Sequence, residues 1–96
     1  MLNLHLLECT LKGYDHISDL LLTKYWVITG CKYYNCIRLA SVYCKPTNPP
    51  TLGDYALSGN ASDRKIYVPT ASVNNYKNTL KWRSYTSSIV GYDFSN

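Results

Sequence analysis

The stretch Lys77-Asn78-Thr79-Leu80-Lys81-Trp82-Arg83-Ser84-Tyr85 decides the expected fold. Leu80 and Trp82 fall at even positions, interleaved with the odd-numbered Lys77, Thr79, Lys81, Arg83 and Tyr85. A period of two sends successive side chains to opposite faces of a strand. The pattern predicts Leu80 and Trp82 inside and Lys81, Arg83 and Tyr85 outside, as in an antiparallel sheet with one solvated face. Ile89, Val90, Tyr92 and Phe94 continue as a further strand or as an apolar tail that packs back.

Upstream, Lys65 to Val68 reads as a short strand stopped by Pro69, which lacks the N–H a ladder needs. Residues 46 to 64 are punctuated by Pro46, Pro49, Pro50, Gly53, Gly59 and Asn60 and read as one long loop. Such loops are more often functional or mobile than core. Tyr25-Trp26-Val27-Ile28-Thr29 is a run of β-formers, and a second strand extends from about Tyr33 to Cys44, with a hairpin loop near Gly30 to Lys32. Asp15 is placed to cap a short helix near residues 16 to 24, in which Ile17, Leu20 and Leu21 fall at helical spacing. Leu2 to Leu11 alternates with a change of phase at Leu6 and Leu7, which suits a bulged strand or a short helix.

No internal repeat stands out. The expected architecture is α+β or mostly β: a small antiparallel sheet of about five strands, one short helix and a long Pro/Gly-containing loop, in one globular unit over residues 1 to 96. With 96 residues, 46% hydrophobic and 17% charged, the chain suits a single small core rather than an extended disordered segment. Met1 to Leu11 has no Lys or Arg ahead of its leucines and is broken by His5 and Glu8, a poor signal peptide. No stretch reaches the roughly 18 apolar residues of a membrane helix. A cytoplasmic or nuclear location is the expectation.

The chemistry-bearing residues point away from catalysis. Glu8 is the only glutamate, and no Gly-rich phosphate loop, nucleophile elbow or paired-histidine zinc motif is present. Cys9 or Cys36 with His5 or His16 could form a nucleophile pair by residue type alone, which is weak without geometry. Cys9, Cys31, Cys36 and Cys44 are candidate metal ligands, but they do not form the two close pairs usual for structural zinc. They read as small buried apolar residues, with disulfides or a metal as the alternatives. Asn60-Ala61-Ser62 is a glycosylation acceptor only in an oxidising compartment, and otherwise part of a turn. No enzyme activity and no cofactor are expected.

Recognition is the remaining class. Ten tyrosines stand against two tryptophans and one phenylalanine. A phenol offers apolar area, one hydroxyl and little rotamer entropy to lose, so tyrosine suits binding surfaces. Tyr25 and Tyr43 read as structural, whereas Tyr33, Tyr34, Tyr55 and Tyr76, with the loop from Pro46 to Ser62, are the candidate partner-binding residues. The expected function is a small non-catalytic accessory or regulatory factor that binds another protein, of a size and texture that suit a virus or phage. The alternative uses Lys77, Lys81, Arg83 and Tyr85 as a single-stranded nucleic-acid face, phosphates meeting the cations and bases stacking on the ring. Against it, the net charge is only +4 and no basic run exists.

Overall fold

The computed structural model describes residues 17–23, 27–28, 30 and 32–95. The bulged strand or short helix expected over Leu2 to Leu11, the Asp15 cap, and the residues Tyr25, Cys9, Cys31, His5 and His16 lie outside them. The described residues form six short strands: β1 (Asp19–Leu22), β2 (Val27–Ile28), β3 (Ser41–Cys44), β4 (Thr51–Leu52), β5 (Lys65–Pro69) and β6 (Ile89–Tyr92). One sheet has the order β1-β3-β5-β6 and a second pairs β2 with β4. Every pairing is parallel.

This overturns the expected antiparallel sheet. Alternation reveals that a segment is extended with one face buried, but it carries no information on the direction of the neighbouring strand. Direction is set by the connections: antiparallel neighbours need only a tight turn, whereas parallel ones need a crossover of a dozen or more residues. The predicted hairpin is replaced accordingly, β2 pairing with β4 rather than with β3. The strand expected from Tyr33 shrinks to Ser41–Cys44, preceded by turns over residues 32–38. The helix expected near residues 16 to 24 gives way to β1 over Asp19–Leu22. A run such as Leu20-Leu21-Leu22 satisfies either period, and here the neighbouring strand decides.

The registers reveal a repeat. Leu20 lies beside Val42, Val42 beside Ile66, and Ile66 beside Ile89, offsets of 22, 24 and 23 residues. The smaller sheet advances by the same step, Val27 lying beside Thr51. The chain therefore winds as stacked coils, each placing one strand in the larger sheet, a quasi-one-dimensional arrangement with a period in the range of solenoid repeats. The repeat escapes inspection of the sequence because only a few inward positions per coil are constrained, and coil length varies.

Inward-facing Leu22, Val42, Cys44, Ile66, Val68 and Ile89 are all buried. The segment 46–64, expected as a loop, is the return limb of a coil: it contains β4 and buries Pro50, Leu52, Ala56 and Leu57. Its backbone bonds to the preceding coil, Tyr33 N–H to the Ala56 carbonyl at 2.8 Å and Asn35 N–H to the Ser58 carbonyl at 2.9 Å. Gly59, with φ of 76°, sits against Asn35, whose Cα would lie 3.2 Å from any added Cβ. Asn60 completes this junction, its amide nitrogen donating to the Tyr33 carbonyl at 2.9 Å and the Cys36 carbonyl at 3.4 Å. The side chain of the Asn60-Ala61-Ser62 triplet is thus engaged in holding two coils together.

The segment Lys77 to Tyr85 is not a strand. A short 3-10 turn (Thr70–Ser72) leads into α1 (Val73–Asn78), and a kinked 3-10 segment (Trp82–Ser88) follows. Thr79 Oγ1 donates to the Asn75 carbonyl at 2.6 Å, and Lys81 has φ of 75°, a left-handed turn incompatible with an extended run. Trp82 is buried as expected, but Leu80 is 66% exposed. Trp82 meets Tyr76 edge-on, with ring centroids 5.0 Å apart. Both use their polar atoms on the neighbouring coil: Tyr76 Oη donates to the Pro46 carbonyl at 2.6 Å, and Trp82 Nε1 to the Pro50 carbonyl at 2.7 Å.

Candidate functional site

The outward face of the larger sheet carries a row of aromatic residues. Because inward and outward positions alternate, the parallel register brings Leu21, Tyr43, Tyr67 and Val90 side by side. Tyr43 and Tyr67 stack with centroids 4.7 Å apart and planes 14° from parallel. Tyr92, from the next outward row, closes on both rings edge-on at 5.3 and 5.5 Å, and Phe94 closes on Tyr92 at 4.8 Å. Leu21 is 58% exposed and Tyr92 43%, while Tyr43, Tyr67, Val90 and Phe94 are half-buried. Lys45 and Lys65 are exposed two positions to either side along the strands, beyond Tyr43 and before Tyr67.

Parallel stacking explains why these rings cluster. In a parallel ladder, equivalent positions of successive coils lie one strand spacing apart, about 4.8 Å, close to the separation of stacked rings. Tyr43, read from the sequence as structural, belongs to this face, and Tyr67 and Tyr92 were not singled out. The signal was present in Val42-Tyr43-Cys44 and Ile66-Tyr67-Val68, two apolar-Tyr-apolar triplets 24 residues apart, but it becomes legible only once the coil length is known.

The expected partner-binding tyrosines do not form one surface. Tyr33 and Tyr76 are buried, Tyr76 completely. Tyr34 is half-buried and Tyr55 is 48% exposed; these two meet edge-on at 6.3 Å. Of the expected nucleic-acid residues, Lys77 lies in the last turn of α1, Lys81 pairs with Asp54, and Arg83 is exposed. Tyr85 shares a hydrogen bond with Ser58 at 3.2 Å and stacks under the Arg64 guanidinium, 4.9 Å from its ring centroid. They come from a helix end and a 3-10 segment rather than from one strand face. Burial lowers the pKa of Arg64, an effect that Tyr85 opposes. Arg64 is held by the Leu57 carbonyl, Asn60 and Ser88, while its buried Nε has no partner among the described residues.

Cys36 and Cys44 are both buried, and Cys44 is a free thiol that burial pushes up to about 12. Among the described residues no group of three or more His, Cys, Asp or Glu side chains is placed to hold a metal ion. Nor is any helix among them long and apolar enough to cross a membrane. Neither the protein-family models nor the curated proteins contain a match to this chain.

Proposed function

We propose that this protein is a non-catalytic protein-binding module whose recognition surface is the outward aromatic row of the larger sheet. The observation that carries this reading is the contiguity of exposed Leu21 and Tyr92 with half-buried Tyr43 and Tyr67 on one regular face. Surface apolar residues scattered singly need no explanation, whereas a contiguous patch rimmed by polar groups marks an interaction site. Aromatic residues concentrate at such sites because a large apolar area is buried at small entropic cost. Lys45 and Lys65 flank the row, so the matching partner is a polypeptide segment that presents apolar side chains with carboxylates beside them. Solenoid faces built this way serve as extended binding surfaces.

Selection of a random displayed peptide library on the protein tests this. Enriched peptides are expected to combine apolar and acidic residues, and their amide-shift footprint to centre on Tyr43, Tyr67 and Tyr92. A central aromatic anchor contributes about 2 kcal/mol or more, so Tyr67→Ala should weaken the selected peptides roughly thirtyfold. Peptides whose footprint lies elsewhere, or an unchanged affinity in Tyr67→Ala, would contradict the reading.

A further inference from the structure

A concavity lies away from the aromatic row, between the turn that follows β4 and the junction of α1 with the second 3-10 segment. It encloses about 350 Å³ and is lined by Asp54, Tyr55, Ser58, Lys81, Ser84 and Tyr85. That volume falls at the small end of small-molecule sites, about 300–1,000 Å³, room for one or two rings. Two of its walls are held in left-handed backbone: Tyr55 has φ of 60° and Lys81 φ of 75°. For non-glycine residues such conformations are unfavourable and persist where the surroundings impose them, often at ligand clamps. An ion pair between Lys81 Nζ and Asp54 Oδ1 ties the two walls together across the opening.

The lining chemistry narrows the occupant. One carboxylate and one ammonium cancel, so the cleft offers no net charge to an ion, and a charged ligand would have to break the existing pair. What remains is a dense set of hydrogen-bonding groups: the Ser58, Ser84 and Tyr85 hydroxyls with the two charged heads, all able to bond several neutral hydroxyls at once. Ser58 Oγ and Tyr85 Oη are already ordered by their mutual bond at 3.2 Å. Tyr55, 48% exposed, adds an aromatic surface against which aliphatic C–H groups can pack. Hydroxyls around the rim of a ring and C–H groups across its face describe a pyranose. We infer that this cleft binds a neutral sugar ring, with Asp54 accepting from ring hydroxyls and Tyr55 packing against the C–H face.

This site shares no residue with the aromatic row, so each can fail without the other. Saturation-transfer NMR with the methyl pyranosides of glucose, galactose, mannose and N-acetylglucosamine provides the test. At least one should receive saturation, most strongly at its ring C–H protons. Asp54→Asn and Tyr55→Gly should each weaken it at least tenfold, while Tyr67→Ala leaves it unchanged. Both variants are chosen to keep the fold: the Asp54 side chain is 68% exposed, and glycine accepts the positive φ at position 55. Circular dichroism verifies that they are folded. Absence of transfer to all four glycosides, wild-type affinity in the folded variants, or displacement of the sugar by the zwitterion glycylglycine would overturn the inference.

Discussion

Trp82→Ala is expected to lower the unfolding free energy by about 3–5 kcal/mol, the range for large aromatic truncations in a core. Trp82 is fully buried, packs edge-on against Tyr76, and donates Nε1–H to the Pro50 carbonyl on the preceding coil. Its removal therefore opens a cavity and also strips a buried carbonyl of its donor. Domains of this kind are stable by only about 5–15 kcal/mol, so the loss is a large fraction of the total. Trp82→Phe retains a ring against Tyr76 but not the donor, and should cost less than the alanine variant, about 1–3 kcal/mol from the unsatisfied carbonyl alone. Urea denaturation of the three proteins provides the measurement. A midpoint for Trp82→Ala close to the parent would contradict the docking of the C-terminal coil through this residue.

Stability is also expected to fall steeply in alkaline solution. The Cys44 thiol, buried among the inward residues of the sheet, is raised from 9.0 to about 12 in the folded protein. Below pH 9 both states hold its proton and the pairing of states is unaffected. Between pH 9 and about 12 the unfolded chain releases that proton while the folded chain keeps it, so folding loses up to about 1.4 kcal/mol per pH unit. Tyr76 adds to the loss above pH 10, its phenol raised first by burial and then by the nearby Cys44. Thermal midpoints measured from pH 7 to 11 should bend downward from pH 9 in the parent. In Cys44→Ala the fall between pH 9 and 10 should be shallower than in the parent, and above pH 10 Tyr76 contributes to both. Equal slopes below pH 10 in the two proteins would contradict the burial of the Cys44 thiol.

Local extension was legible where apolar residues alternate over a full strand. The strand expected over Lys65 to Val68 is present but runs through Pro69, which lies beside Tyr92 instead of ending the ladder. The segment left open between a strand and an apolar tail forms a strand over Ile89–Tyr92. The inward residues Ile66, Val68 and Ile89 are buried. The same logic misled at Lys77 to Tyr85. Two apolar residues two positions apart are too few to set a period, and the backbone at Lys81 turns left-handed between them. The long Pro/Gly segment misled for a different reason. Proline and glycine report bends, and a coil that bends at each corner is full of them while still burying Pro50, Ala56 and Leu57.

The candidate sites were less legible than the strands, since both depend on contacts between coils. Tyr43 and Tyr67 are separated by 24 residues, and only the parallel register makes them neighbours. Asp54 and Lys81 are 27 residues apart, and their pairing follows from the stacking of one coil on the next. Of the tyrosines grouped in the sequence as partner-binding candidates, Tyr55 is 48% exposed and Tyr76 is buried: a tyrosine on a short helix shows its side only when the element it packs against is known.

The one-way progression of β1, β3, β5 and β6 has a mechanical consequence. Each strand adds to the same side of the last, so β1 and β6 sit at opposite ends of the ladder, and tension between Asp19 and Tyr92 acts along the inter-strand hydrogen bonds. Bonds loaded in that direction part like the teeth of a zip, one after another, rather than shearing together. Each coil of 22 to 24 residues set free would lengthen the tether by about 75–80 Å at full extension. In an optical trap the chain should pay out in coil-sized steps at low force, and a single all-at-once rupture would show that the coils are coupled more tightly than nearest-neighbour stacking implies.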